Sequence, residues 1–199
     1  MDLTQLNLLK EQYNDYFIIE HDIRINVKPF DGEEPDEIAF ERLIPAPFLM
    51  AGEQMMLEQS ALKSLNRLGE MAEELALYLR IQARKIDSMM RYILQMQDDP
   101  QCRSFSHSYG GSALCFDHES AFAEGDLLEV KMFLEHNDGA VFALARVIGV
   151  EPLDSRFRIR ATYTRIREQD RELIVRASLH QQSRQLKRKA ELRQQQSST

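Results

Sequence analysis

The residues best equipped for chemistry lie in one stretch, Cys102–Phe116, reading CRSFSHSYGGSALCF. Ser106 and Ser108 offer hydroxyls, His107 an imidazole, and the pair Gly110-Gly111 a backbone that another group can approach closely. Such a set reads as a phosphate-binding nest, as the remnant of one, or as a tight connection between two strands. Two other chemistries use the same residues. Cys102, His107, Cys115 and His118 suit zinc by type, but their spacing matches no common knuckle and Cys115 belongs to an apolar strand row, so no metal is expected. Ser106, His107 and Ser108 are sequence neighbours that strand alternation would turn apart. No paired carboxylates or Walker loop accompany them, and no enzyme is expected. Arg80 and Arg84 have the spacing of a phosphate clamp, yet sit in a charged helical pattern where such pairs arise by chance.

Composition narrows the partners. With 199 residues, 43% of them hydrophobic, the chain can bury its own core. A formal charge of −7 argues against nucleic acid, which needs a cationic surface. Charge is uneven: residues 1–60 hold 13 acidic and 4 basic side chains, whereas residues 170–199 hold 7 basic and 3 acidic ones. Two cysteines make no disulfide framework. The N-terminal sequence has no signal-peptide pattern and no long apolar run spans a membrane, so a cytoplasmic protein is expected.

The elements that would position the Cys102–Phe116 stretch follow from periodicity. Residues 1–52 comprise an N-terminal helix, a first strand and an acidic connector. In the strand, Phe17, Ile19, Ile23, Ile25 and Val27 alternate with polar residues up to Lys28. The connector, 29–52, reads as a solvated loop in which Pro45 and Pro47 disfavour helix. Over 53–97 the residues Leu65, Leu68, Ala72, Leu75, Leu79, Gln82, Ile86, Met89, Ile93 and Met96 recur at steps of three and four, a sustained heptad. Its flanks are apolar as well, which calls for more than one covering helix. About 45 residues would span roughly 65 Å, too long for a helix lying on its own small domain. A homo-oligomer, dimer or tetramer, is expected through this helix.

Residues 98–167 break into short alternating strands at about 102–107, 112–116, 127–135, 140–151 and 156–166, with the first strand making six. Residues 168–199 read as a C-terminal helix with a polar, fraying tail, whose Arg184, Lys187, Arg188, Lys189 and Arg193 form a solvated basic face. The fold class expected is α+β: a six-stranded antiparallel barrel, a long inserted coiled-coil helix and a C-terminal helix.

In order, Ser106–Gly111, Ala113–Phe116, Gly125-Asp126, Arg146–Ile148 and Glu168–Arg171 resemble the PilZ domain family over roughly the C-terminal half. The resemblance implies a six-stranded barrel and, in many members, a cytoplasmic receptor for the bacterial messenger cyclic di-GMP. In those receptors an Arg-x-x-x-Arg arm before the first strand and an Asp/Asn-x-Ser-x-x-Gly turn clasp the dinucleotide. Ser108 and Gly111 match the turn, but Ser106 stands where Asp or Asn is expected, and Met1–Tyr16 holds Lys10 and no arginine. The inserted heptad helix resembles the atypical, tetramer-forming PilZ proteins that lack the usual ligand motifs. Two functions follow as expectations. One is an oligomeric adaptor in a cyclic di-GMP pathway with degenerate motifs, no cofactor and a protein target. The other is a receptor that binds cyclic di-GMP near Arg103, Ser106, Ser108 and Gly111, with Arg158 or Arg160 rebuilding the clamp.

Overall fold

In the computed structural model, which describes residues 3–13, 15–51, 73–135 and 139–197, the alternating rows pair as seven antiparallel strands. These are β1 (Ile18–Glu20), β2 (Arg24–Pro29), β3 (Arg103–Gly110), β4 (Ala113–His118), β5 (Leu127–Phe133), β6 (Ala140–Pro152) and β7 (Phe157–Arg165). The order β3, β2, β5, β6, β7, β4 closes back on β3, giving a six-strand barrel, and β1 pairs with the far end of β3 beyond β2. Closure removes exposed sheet edges, which suits so many short strands.

One set of alternating side chains fills the interior: Ile23, Ile25 and Val27 from β2 and its approach, Leu114 and Phe116 from β4, Val141 to Val147 by twos from β6, and Ile159, Ala161 and Tyr163 from β7. Tyr163 keeps its hydroxyl satisfied there by donating to Met132 Sδ at 3.1 Å. Helix α4 (Glu168–Ser197) adds Leu173, Ile174 and Ala177 to this cluster.

The expected single strand Phe17–Lys28 is instead two. The chain leaves the ladder at His21–Ile23, where Ser106 Oγ accepts from the Ile23 amide at 3.0 Å and donates to the His21 carbonyl at 2.8 Å. The expected loop at 29–52 is largely helical. Asp36 caps α2 (Glu37–Leu43) by accepting from the Ala39 amide at 2.8 Å, and 46–51 forms a further helical turn. Pro45 and Pro47 stand at its start, where their missing N–H groups have no intrahelical partner to lose. The outcome is a second apolar layer: Phe40, Ile44 and Phe48 cover Phe133, Phe142 and Leu144 on the outside of β5 and β6.

Helix α3 (Glu73–Gln95) is the described part of the heptad helix; Leu65, Leu68 and Ala72 lie outside the described residues. It joins the outer apolar layer through Leu94 and buries Met90 as well, while the heptad row itself is open: Leu75, Leu79, Ile86, Met89, Ile93 and Met96 are 37–69% exposed. Tyr78, Ile81 and Tyr92 widen the open stripe. No helix among the described residues is long and apolar enough to cross a membrane. The expected fraying tail is helical to Ser197. N-terminal helix α1 (Leu3–Gln12) lies over β6 and β7, tied by Thr162 Oγ1 donating to the Leu9 carbonyl at 3.1 Å.

Candidate functional site

The stretch read as a nucleotide turn is mostly strand. β3 runs to Gly110, β4 starts at Ala113, and only Gly111 and Ser112 connect them. A bulge at His107 decides where the serines point: Ser106 pairs with Phe116, whereas Ser108 pairs with Cys115. The bulge re-aims the chain by one residue. Ser106 therefore shares the inward face with Phe116 and is consumed by the β1–β2 break, and Ser108 shares the outward face with Cys115. Two hydroxyls expected to flank one ligand stand on opposite faces.

The outward position is also taken. Tyr13, just past α1, has its phenol beside Ser108, and burial raises that phenol above the ordinary range although nearby Arg160 opposes the rise. Burial likewise pushes the Cys115 thiol up to about 11, so it is a neutral thiol at physiological pH. Ser112 Oγ donates to the Tyr13 carbonyl at 3.1 Å. The two glycines are filled from the same segment. A Cβ on Gly110 would lie 2.3 Å from the Phe17 carbonyl oxygen, and one on Gly111 would lie 2.8 Å from both Tyr16 Cδ1 and Val175 Cγ2. Arg171 locks this arrangement: its guanidinium stacks over the Tyr16 ring at 5.5 Å and donates to the Gly111 carbonyl. The bare glycines thus admit the chain's own strap, Tyr13 with Asp15–Phe17.

The expected arginines are separated. Arg103 forms a two-pronged bond to Asp98, with Nε at 3.1 Å and Nη2 at 2.9 Å from Oδ2. Arg158 does the same to Asp117 at 2.9 and 3.1 Å, and Arg160 pairs with Glu151 at 2.6 Å. Of the six candidates the fold gathers Ser108, Gly111 and Arg160 around the strap, and places Arg103 and Arg158 further along the outer face, on either side of Phe105 and Asp117. Among the described residues no three His, Cys, Asp or Glu side chains converge as a metal site.

Sequence reasoning missed Tyr13, Tyr16 and Arg171, whose role depends on packing across the fold. It also missed Asp98. This carboxylate, with only 2% of its side chain exposed, sits where the segment after α3 meets the barrel and takes Arg24 at 3.0 Å besides Arg103. Asn26 donates to it at 2.9 Å and accepts from the Asp99 amide at 2.7 Å. Burial pushes the Asp98 carboxyl up, but Arg103, Asn26 and Arg24 outweigh burial and hold it below the usual carboxylate range. It is a joint that fixes the root of the long helix.

No family model matches the chain, and no curated protein does. Among solved structures it is similar to a tetrameric PilZ domain protein of Xanthomonas campestris, self-assembled through an unusual helical bundle. That match has TM-score 0.56 and 12% identity, covering 89% of this chain and 94% of the other. It also matches the Bacillus subtilis inhibitor of motility MotI/DgrA, with TM-score 0.46 and 9% identity over 86% of this chain; the chain spans 52% of that protein's length. A partial match to MrkH of K. pneumonia in its apo state has TM-score 0.35 and 14% identity, covering 44% of this chain and 43% of MrkH. The fold is that of a PilZ domain.

Proposed function

We propose that this PilZ-type barrel is a non-enzymatic, cytoplasmic signalling adaptor that assembles through α3 and presents its barrels to a protein target in a cyclic di-GMP pathway. The observation that carries the reading is the open heptad row. Five apolar side chains from Leu75 to Ile93 recur on a helix of 23 residues, with Met96 one residue past its end, while the helix buries Met90 and Leu94 instead. A stripe of this size left in water is unfavourable by about 25 cal/mol per Å² of apolar surface, and partner helices of the same sequence cover it. The Xanthomonas protein's assembly through a helical bundle fits the same arrangement.

The adaptor reading is favoured over the receptor one by the strap. Tyr13, Tyr16 and Phe17 stand against Ser108, Gly111 and Gly110, the positions a dinucleotide would need, and Met1–Tyr16 supplies no arginine to clasp it. The test is light scattering on the full chain and on the double variant Leu75→Asp, Leu79→Asp. The expected result is a multiple of the 23.2 kDa chain mass for the parent and a single chain mass for the variant. A parent at single mass, or a variant still assembled, removes the reading.

A further inference from the structure

The open face of α4 reads as its own complement. At steps alternating four and three it carries an acidic pair, Glu168 and Glu172, an apolar middle of Val175, Leu179 and Leu186 around Gln182, and a basic pair, Lys189 and Arg193. Leu173, Ile174 and Ala177 face the barrel instead. Leu179 and Leu186 are 51% and 61% exposed, and the Tyr16 ring, 40% exposed, joins Val175 and Leu179 in a groove of about 400 Å³. From Leu186 to Gln194 every residue is exposed, so about two and a half turns of the helix lie outside the packed body. A free end of that length is not held by helix propensity alone. The two ends keep opposite signs when their neighbours are counted. Beside Glu168 and Glu172, Arg167 is bound to the buried Asp170, Arg165 to Glu34, and Arg171, 16% exposed, to the Gly111 carbonyl. Arg176 is half-buried on the flank, and the exposed Asp15, Asp36, Glu37 and Glu41 outnumber the exposed Arg42. At the other end Lys187, Arg188, Lys189 and Arg193 outnumber Glu191, on the back of the helix, and Glu20, whose carbonyl accepts from Gln185 at its root.

Resting on the α3 assembly proposed above, we infer that this face is a second interface between copies of the chain, made by two α4 helices running antiparallel about a two-fold axis. In the register that sets Val175 of each copy opposite Leu186 of the other, Glu172 meets Lys189, Glu168 meets Arg193 and Leu179 meets Gln182. Each pair occurs twice, as an isologous contact requires. The second copy's Leu186 then covers the groove beside Tyr16, and the free end of each helix gains a neighbour. A parallel pair would instead set Lys189 against Lys189 and Arg193 against Arg193, which repel. Any other occupant would need the same row in reverse order, and a second copy supplies it. The seam has two leucines and one valine per helix, so a single one is weak. Two α3 dimers that meet this way form two seams at once and make a four-chain assembly, whereas an isolated chain has only one to offer.

The experiment is sedimentation equilibrium of the full chain at low salt over a wide range of concentration. The parent should reach about four chain masses, and Leu179→Asp with Leu186→Asp should stop at about two, because α3 is untouched. Lys189→Glu should move the four-to-two dilution midpoint about tenfold or more towards higher concentration. Adding Glu172→Lys to Lys189→Glu should bring it back to within about threefold of the parent, a recovery that misfolding of a single variant cannot give. A parent of two chains, an unchanged mass in Leu179→Asp with Leu186→Asp, or a charge swap without recovery overturns the inference and leaves the α3 reading standing. A four-chain parent that falls to two chains, rather than one, on Leu75→Asp with Leu79→Asp removes the α3 reading and leaves the α4 seam standing. A single-chain parent overturns both.

Discussion

The β3–β4 corner and the α3 face make an instructive pair. Each is marked in the sequence by an invitation to bind: bare glycines and hydroxyls at one, a repeating apolar row at the other. At the corner the invitation is answered from within, because Tyr16 and Phe17 fill the space over Gly111 and Gly110 and Arg171 pins them. On α3 the row from Leu75 to Ile93, with Met96 just past its end, stays open in the single chain. The lesson is that a motif reports free valence only after the rest of the chain has been placed against it. Short-range chemistry marks both regions equally, and long-range packing separates them.

This contrast can be broken at either end. The largest effect belongs to the open face, where Leu75→Asp with Leu79→Asp should dissociate the assembly completely, since two carboxylates cannot be desolvated in a helical seam. At the closed corner, Gly110→Ala forces a Cβ to 2.3 Å from the Phe17 carbonyl oxygen, a backbone atom that cannot swing aside. A loss of about 2–3 kcal/mol is expected in denaturant unfolding, with the assembly mass unchanged. An unaltered midpoint would show that the strap does not sit on the glycine.

Between the two regions lies the Asp98 joint. Asp98→Asn at neutral pH should lose about 1–2 kcal/mol, the geometry being good but both arginines part-exposed. The pH dependence has a definite sign. The folded carboxyl lies below its reference value of 3.8, so its stabilisation is present above that pH and is lost as pH falls through the folded value. Acid unfolding profiles should show the parent losing stability below about pH 4 more steeply than Asp98→Asn. Parallel profiles would mean that the joint carries no net stabilisation. The smallest effect is Tyr13→Phe, which removes only the phenol hydroxyl beside Ser108 and should cost about 0.5–1 kcal/mol.

Much of the barrel was legible. Strict alternation in Leu128–Leu134 and Phe157–Tyr163 marks strands with one inner face, and both occur, as does closure into six strands. The heptad row was equally plain, because a 3.5-residue period needs no knowledge of the rest of the fold. What could not be read depends on contacts between distant residues. The acidic connector hides Phe40, Ile44 and Phe48, whose helical spacing is masked by two prolines that turn out to start a turn rather than break one. The bulge at His107 leaves no composition signal, yet it alone sends Ser106 and Ser108 to opposite faces. Arg103 and Arg158 looked available for phosphate; their carboxylate partners, Asp98 and Asp117, were the missing information.

The measurement that tests the central claim most directly is calorimetric titration of the full chain with cyclic di-GMP, with light scattering on the same sample. A strap-filled corner and an α3-built assembly predict a multimeric mass and no saturable heat. Saturable binding at about one or two dinucleotides per chain would contradict the account, because the ligand would have to displace Tyr13, Tyr16 and Phe17 and recruit arginines now held by Asp98, Asp117 and Glu151.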